Sequence, residues 1–222
     1  MRLGILQTGD VTQEFRAKHG DLPELFVALF GDRATQHRTW RVMDGTVPED
    51  LSDADLWVIT GSIHAVYEDH SWLGPLFDLI RKAARDGVPI IGVCFGHQAM
   101  AAALGGHVER FSEGWTVGRQ VYSWGGKARA INAWHQDQVV VPPPAAEVLA
   151  TSGSCTYAAL RYGPRAVSIQ AHPEYGSAPL QTLIETRGRP VPTDRLANAS
   201  ASLELPLDRE TVANDLKLVV RP

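Results

Sequence analysis

Cysteine is almost absent from this chain. Two cysteines in 222 residues cannot build a disulfide framework, and no export-type leader is visible, so the cytoplasm is the expected compartment. The opening stretch, Arg2-Leu3-Gly4-Ile5-Leu6, reads as a first strand and lacks the longer apolar core of a signal peptide. Positive charge is scarce too. The 21 Lys and Arg against 25 Asp and Glu leave a net charge of −4, and no basic cluster offsets it, which argues against nucleic acid as a partner. No apolar run approaches the ~20 residues of a membrane span. Two separated cysteines cannot supply the usual ligand pairs of a zinc site, and no Gly-rich phosphate loop with its lysine is present. Neither a metal nor another cofactor is therefore expected. What remains is an ordinary globular composition, 44% hydrophobic and 21% charged. The length suits one large α/β domain or at most two small ones.

The order of patterns favours a single domain over 1–222. Leu3 to Gln7 reads as a strand, and Leu22 to Phe30 has helical spacing and a Gly31 stop. Thr39 to Met43 reads as a second strand. Leu56 to Thr60 is apolar almost throughout, as a strand covered on both faces is. Trp72 to Arg85 is an amphipathic helix closed by Gly87, and Val88 to Ile91 is a short buried strand. Repeated β-α-β alternation implies a mostly parallel central sheet flanked by helices. Ligands gather beyond the carboxyl ends of such strands. The second half changes character. Short strands at Val117–Tyr122, Ala130–Trp134, Gln138–Val141, Glu147–Thr151, Tyr157–Arg161 and Val167–Gln170 read as an antiparallel β extension of the same domain. Leu180 to Thr186 reads as a helix, 187–201 as a polar, proline-broken loop, and the stretch from Leu207 to Val219 as a last helix.

One stretch carries chemistry. In Gly92-Val93-Cys94-Phe95-Gly96-His97-Gln98 a cysteine stands between strand and helix, with glycine two residues to either side. This is the nucleophile elbow with sulfur in place of hydroxyl. The glycines allow a tight turn and close neighbours, and the start of a helix favours a thiolate. A thiolate needs a base and a group to orient the base. His172-Pro173-Glu174 follows another strand, and residues two apart on extended chain point the same way. Taken alone, that tripeptide is more often a surface pair; beside the elbow the weighting reverses. Cys155 has no such surroundings and reads as a small buried residue. His97 reads as a packing residue, and His135 as structural or near the site with equal weight.

The elbow together with His172-Pro173-Glu174 resembles the class I glutamine amidotransferases, and most closely stand-alone proteins related to the glutaminase domain of GMP synthase. Thr60-Gly61-Ser62, Val66-Tyr67-Glu68, Gly114-Trp115 and Trp134-His135-Gln136-Asp137 extend the similarity over most of the chain. The resemblance implies a flavodoxin-like class I glutamine amidotransferase fold. It implies that Cys94 attacks the γ-carbonyl of glutamine or of another γ-glutamyl compound, with His172 as base and Glu174 orienting it. It implies an oxyanion hole from the Phe95 N–H and the Gly61-Ser62 loop, although Ser62 and Ile63 depart from the commoner glycine and proline there. Gln98, Trp134, Gln136 and Asp137 match substrate-contacting positions. No synthetase domain is evident. The nitrogen goes either to a separate ammonia-accepting synthetase subunit or, in a plain γ-glutamyl hydrolase, to water. A catalytically quiet binding subunit is the third reading.

Overall fold

Alternating apolar runs and amphipathic helices close into one layered α/β unit in the computed structural model, which describes residues 1–32 and 34–220. The order is β1 (Arg2–Gln7), α1 (Gln13–His19), α2 (Leu22–Phe30), β2 (Gln36–Arg41), β3 (Leu56–Ile59), α3 (Leu73–Asp86), β4 (Ile90–Val93), α4 (Phe95–Ala103) and β5 (His107–Arg110). It continues through β6 (Thr116–Trp124), β7 (Lys127–His135), β8 (Asp137–Val141), β9 (Glu147–Ser152), β10 (Cys155–Arg161), β11 (Ala166–Ile169), α5 (Ser177–Arg187), α6 (Thr193–Ala201) and α7 (Arg209–Val220).

The main sheet runs β2-β1-β3-β4-β11-β10-β9-β6-β7. Its first five strands are parallel and the remaining four antiparallel. This is the expected parallel sheet with its β extension. β5 and β8 pair separately. Both faces are covered, so the central strands are apolar on both sides. Leu3, Ile5, Val58, Ile91 and Val93 face a layer containing Phe26 of α2 and Leu216 of α7. Leu6, Trp57, Ile59 and Ile90 face Leu76 and Ile80 of α3 and Met100 of α4. The period of two along each strand sorts these side chains between the layers. Among the described residues no helix is long and apolar enough to cross a membrane.

The structure departs from the expected pattern at several places, among them the unanticipated strand β5 and the second strand, which ends at Arg41 before Met43. Residues 193–201, expected within a loop, form α6. Its prolines lie at and before its start, where they do not break a helix, and one short stripe holds it. Leu196 and Ala199 pack with Val117, Val191, Trp115 and Trp134. α1 was not anticipated either; it is a short helix anchored by fully buried Phe15. The second strand begins earlier than expected, at Gln36, because it is an edge strand with mostly exposed side chains and little apolar signal.

Candidate active site

β3, β4 and β11 lie side by side and parallel, so the residues that follow them emerge along one edge of the sheet. Thr60, Gly61 and Ser62 follow β3, Cys94 follows β4, and His172 comes three residues after β11. Cys94 and His172, 78 positions apart in the chain, need no special device to meet, because adjacent strand ends bring them together.

Cys94 holds the strained turn. Its φ of 54° and ψ of −103° make it the non-glycine residue with positive φ among those described, at a cost of about 1–3 kcal/mol. Its neighbours enforce it. The Cys94 N–H donates to Ile169 O at 2.9 Å, and Cys94 O accepts from the Gln98 N–H at 3.1 Å. A Cβ on Gly92 would stand 2.5 Å from Gly96 O, and one on Gly96 2.5 Å from Ile59 O. The two glycines therefore let α4 rest directly against β3 and β4.

His172 and Glu174 form a buried pair, with His172 Nδ1 2.6 Å from Glu174 Oε1 and side-chain exposures of 4% and 0%. The Cys94 sulfur lies beside the imidazole and contributes to its electrostatics. Burial disfavours the imidazolium, but Glu174 and then Cys94 outweigh it and hold the His172 pKa well above its ordinary value. The chemical consequence is a bias toward imidazolium beside the thiol sulfur. Backbone and ring contacts fix the pair. His172 N–H donates to Asn132 O at 2.8 Å, the His172 ring stacks on Tyr175 at 4.5 Å, and Arg209 of α7 donates to Pro173 O at 2.8 Å and Glu174 O at 2.9 Å.

Next to Cys94, the Gly61 carbonyl accepts from the Thr60 hydroxyl at 3.1 Å, while the Thr8 hydroxyl donates to Thr60 O at 2.9 Å and lies 3.3 Å from Gly61 O. The Thr8 N–H in turn donates to Thr60 Oγ1 at 3.0 Å. In a planar trans peptide the carbonyl and the following N–H point apart. The Ser62 N–H is thus turned away from these hydroxyls. Gly61 itself sits against the pair, since a Cβ there would lie 3.2 Å from His172 Cε1 and 3.8 Å from Cys94 Cβ.

Cys94, His172, Gly61, Ser62, Gln98, Trp134, Gln136 and Asp137 all border one cavity of about 640 Å³. Glu174 stands behind His172, and the Phe95 ring packs into the core against Trp72 at 5.6 Å, so only the Phe95 backbone is available to a ligand. Gln98 is buried, and its Nε2 donates to Asp137 O at 2.9 Å and Gln170 Oε1 at 3.2 Å. It pins the Asp137 loop and keeps its carbonyl oxygen for any ligand. Asp137 accepts from Tyr67 OH at 3.1 Å, and burial raises its pKa above the usual carboxylate value despite that bond and Arg110. His135 also borders the cavity; burial pushes its pKa down to about 3, so it is uncharged. His97 is fully buried with Nδ1 2.7 Å from Ser168 Oγ, a packing position. Cys155 is buried and free, its thiol pushed up to about 12 by burial.

Comparison with known proteins settles the family. Residues 34–188 match the model of the class I glutamine amidotransferases. The chain belongs to that family. Gamma-glutamyl peptidase 5 of Arabidopsis thaliana is 33% identical over 81% of this chain and 78% of that protein. The glutamine-hydrolysing GMP synthase of Staphylococcus saprophyticus is 31% identical over 68% of this chain but only 33% of the synthase. A glutamine amidotransferase from Thermotoga maritima shares the fold, with a TM-score of 0.77 at 21% identity over 99% of this chain and 96% of that one. As a class I glutamine amidotransferase the chain is a cysteine-type hydrolase of C–N amide bonds. Thr8, Tyr175 and Arg209 escaped the sequence reading. Each acts on a neighbour's backbone or ring, and no short motif encodes that.

Proposed function

We propose that this chain hydrolyses the γ-glutamyl bond of a peptide or conjugate through a Cys94 thioester. Cys94 attacks the γ-carbonyl carbon, and the bond to the leaving nitrogen breaks as His172 supplies that nitrogen with a proton. Water, deprotonated by His172, then attacks the thioester; glutamate leaves and the thiol is restored. Glu174 orients the imidazole throughout and stabilises its protonated form. The Phe95 N–H and the Ser62 N–H, its peptide oriented by the Thr60 hydroxyl on the Gly61 carbonyl, serve the oxyanion. Asp137 takes the α-ammonium group, and Gln98, Trp134 and Gln136 complete the glutamyl subsite.

The observation that carries the choice of substrate is the cavity. At about 640 Å³ it is in the range of sites that enclose drug-sized ligands, and its lining includes Asp10, Trp115, Arg187 and Arg189 besides Cys94 and His172. A leaving group larger than ammonia has room there. The relatives support the same reading, since the peptidase resembles this chain over most of both lengths. The second reading, a glutaminase that passes ammonia to a separate synthetase, draws on the match to GMP synthase. Both free cysteines suit a reducing cytoplasm. The test is a panel of γ-glutamyl dipeptides, γ-glutamyl amines and free glutamine, each run against wild type. A higher kcat/KM for dipeptides is expected; a clear preference for free glutamine rejects the peptidase reading in favour of the glutaminase.

A further inference from the structure

Between β3 and α3 the backbone makes a run of tight turns that gathers three ligand-type side chains. His64, Glu68 and His70 each offer one donor atom, all within 4.8 Å of one another. Glu68 Oε2 lies 3.2 Å from His64 Nδ1 and 2.8 Å from His70 Nε2. Around a tetrahedral ion with bonds of about 2.0–2.2 Å, adjacent donors stand about 3.3–3.5 Å apart. The two edges that share Glu68 are about 0.1–0.7 Å short of that spacing and the third is at most 4.8 Å, so small side-chain movements bring the three donors around an ion.

The frame around these side chains is fixed. His64 N–H donates to Ser62 Oγ at 3.1 Å. Glu68 N–H donates to Ala65 O at 3.2 Å, His70 N–H to Glu68 O at 3.1 Å and Leu73 N–H to His70 O at 3.1 Å. The rings are held as well. His70 stacks on Trp72 at 5.5 Å, and His64 meets His70 edge-on at 4.3 Å. Trp72 is itself buried. Ligands ordered in this way by their surroundings bind metals more tightly than free side chains do.

We infer that His64, Glu68 and His70 form a site for a zinc-class divalent cation at the rim of the substrate cavity. Two imidazoles and one carboxylate suit Zn²⁺ and its transition-metal neighbours, whereas Ca²⁺ and Mg²⁺ prefer all-oxygen sets. Three protein ligands leave a position for water or an incoming anion. His64 and Glu68 border the cavity, so that position lies beside the substrate. The ion would also tie the segment that carries Gly61 and Ser62 to the start of α3. A sequence search for cysteine pairs misses this site because it contains none.

Calorimetric titration of the whole chain with zinc chloride tests the inference. One ion per chain is expected for wild type and for Cys94→Ala. The second protein matters because a thiol beside an imidazole can also take zinc. His70→Ala and Glu68→Gln should each weaken binding by at least tenfold, since loss of a ligand exceeds the ~10–100-fold effect of losing an outer partner only. At a hundredfold excess over Kd, zinc should raise the Tm of Cys94→Ala by about 5–10 °C. At the same zinc concentration that shift should fall to about half or less in the doubly substituted Cys94→Ala/His70→Ala. The inference fails if no saturable uptake occurs, if binding is unchanged in both ligand variants, or if it disappears in Cys94→Ala. Binding and melting are read without substrate, so the outcome is separate from that of the peptidase proposal.

Discussion

Glu174→Gln isolates the charge that the proposed mechanism places behind His172. The substitution keeps the shape of the side chain and leaves an amide oxygen to accept from Nδ1, which Glu174 Oε1 now meets at 2.6 Å. What it removes is one negative charge. With charge centres about 4 Å apart and an effective dielectric near 20, carboxylate and imidazolium attract by about 4 kcal/mol. In the wild type this attraction, helped by Cys94, overcomes burial and raises the His172 pKa. The imidazolium is therefore present below that raised value and lost as pH climbs through it. In Glu174→Gln burial prevails, and the imidazole is neutral at lower pH. The population of the thiolate–imidazolium pair then drops by up to about a thousandfold. The assay is the rate of Cys94 alkylation by iodoacetamide across pH, alongside kcat/KM for a γ-glutamyl dipeptide. Wild type should alkylate faster than the variant at neutral pH. The variant should be slower and should accelerate as pH rises. Thermal melting checks that the fold is retained. Superimposable pH profiles in a folded variant would refute the reasoning.

Three further perturbations probe other parts of the site. Thr60→Val deletes one donor to the Gly61 carbonyl; a hydrogen bond worth about 0.5–1.5 kcal/mol should lower kcat by up to about tenfold with little change in KM, and an unaltered kcat would remove Thr60 from the oxyanion arrangement. Gly96→Ala places a methyl 2.5 Å from Ile59 O, an overpacking worth about 1–3 kcal/mol; a lowered Tm with loss of activity is expected, and an unchanged melt would contradict the close approach. Asp137 has a pKa raised by burial, so on acidification it becomes neutral earlier than an ordinary carboxylate and loses its hold on an α-ammonium group. KM should rise as pH falls while kcat changes less, and Asp137→Asn should show a high KM that no longer follows pH; an Asn variant with wild-type KM would exclude this contact.

The parts of the molecule legible in the sequence are those whose local pattern and tertiary role coincide. Leu56-Trp57-Val58-Ile59 reads as a doubly covered strand because it is one. The Gly-x-Cys-x-Gly turn is legible because its backbone cannot form otherwise. α6 was not legible, since a single packed stripe facing Gly118 and Trp134 holds a mostly polar segment. β2 was obscured by its position at the sheet edge, where exposed polar side chains carry no alternation. In the site, Cys94 and His172-Pro173-Glu174 stood out as motifs on strand ends. Arg209 did not, because it reaches its targets, two carbonyls, across more than thirty residues of chain. Likewise, the Thr8 contact with Gly61 exists only because β1 and β3 are neighbours.

The central claim is that Cys94, not Cys155, is the nucleophile. Treating the protein with a glutamine-mimicking electrophile and mapping the modified peptide decides between them. Cys155 is buried with its thiol pushed up to about 12, so it should stay unmodified. A single adduct on Cys94, with hydrolysis abolished both by the adduct and in Cys94→Ala, is the predicted result. Labelling at Cys155, or hydrolysis that persists in Cys94→Ala, would contradict the account.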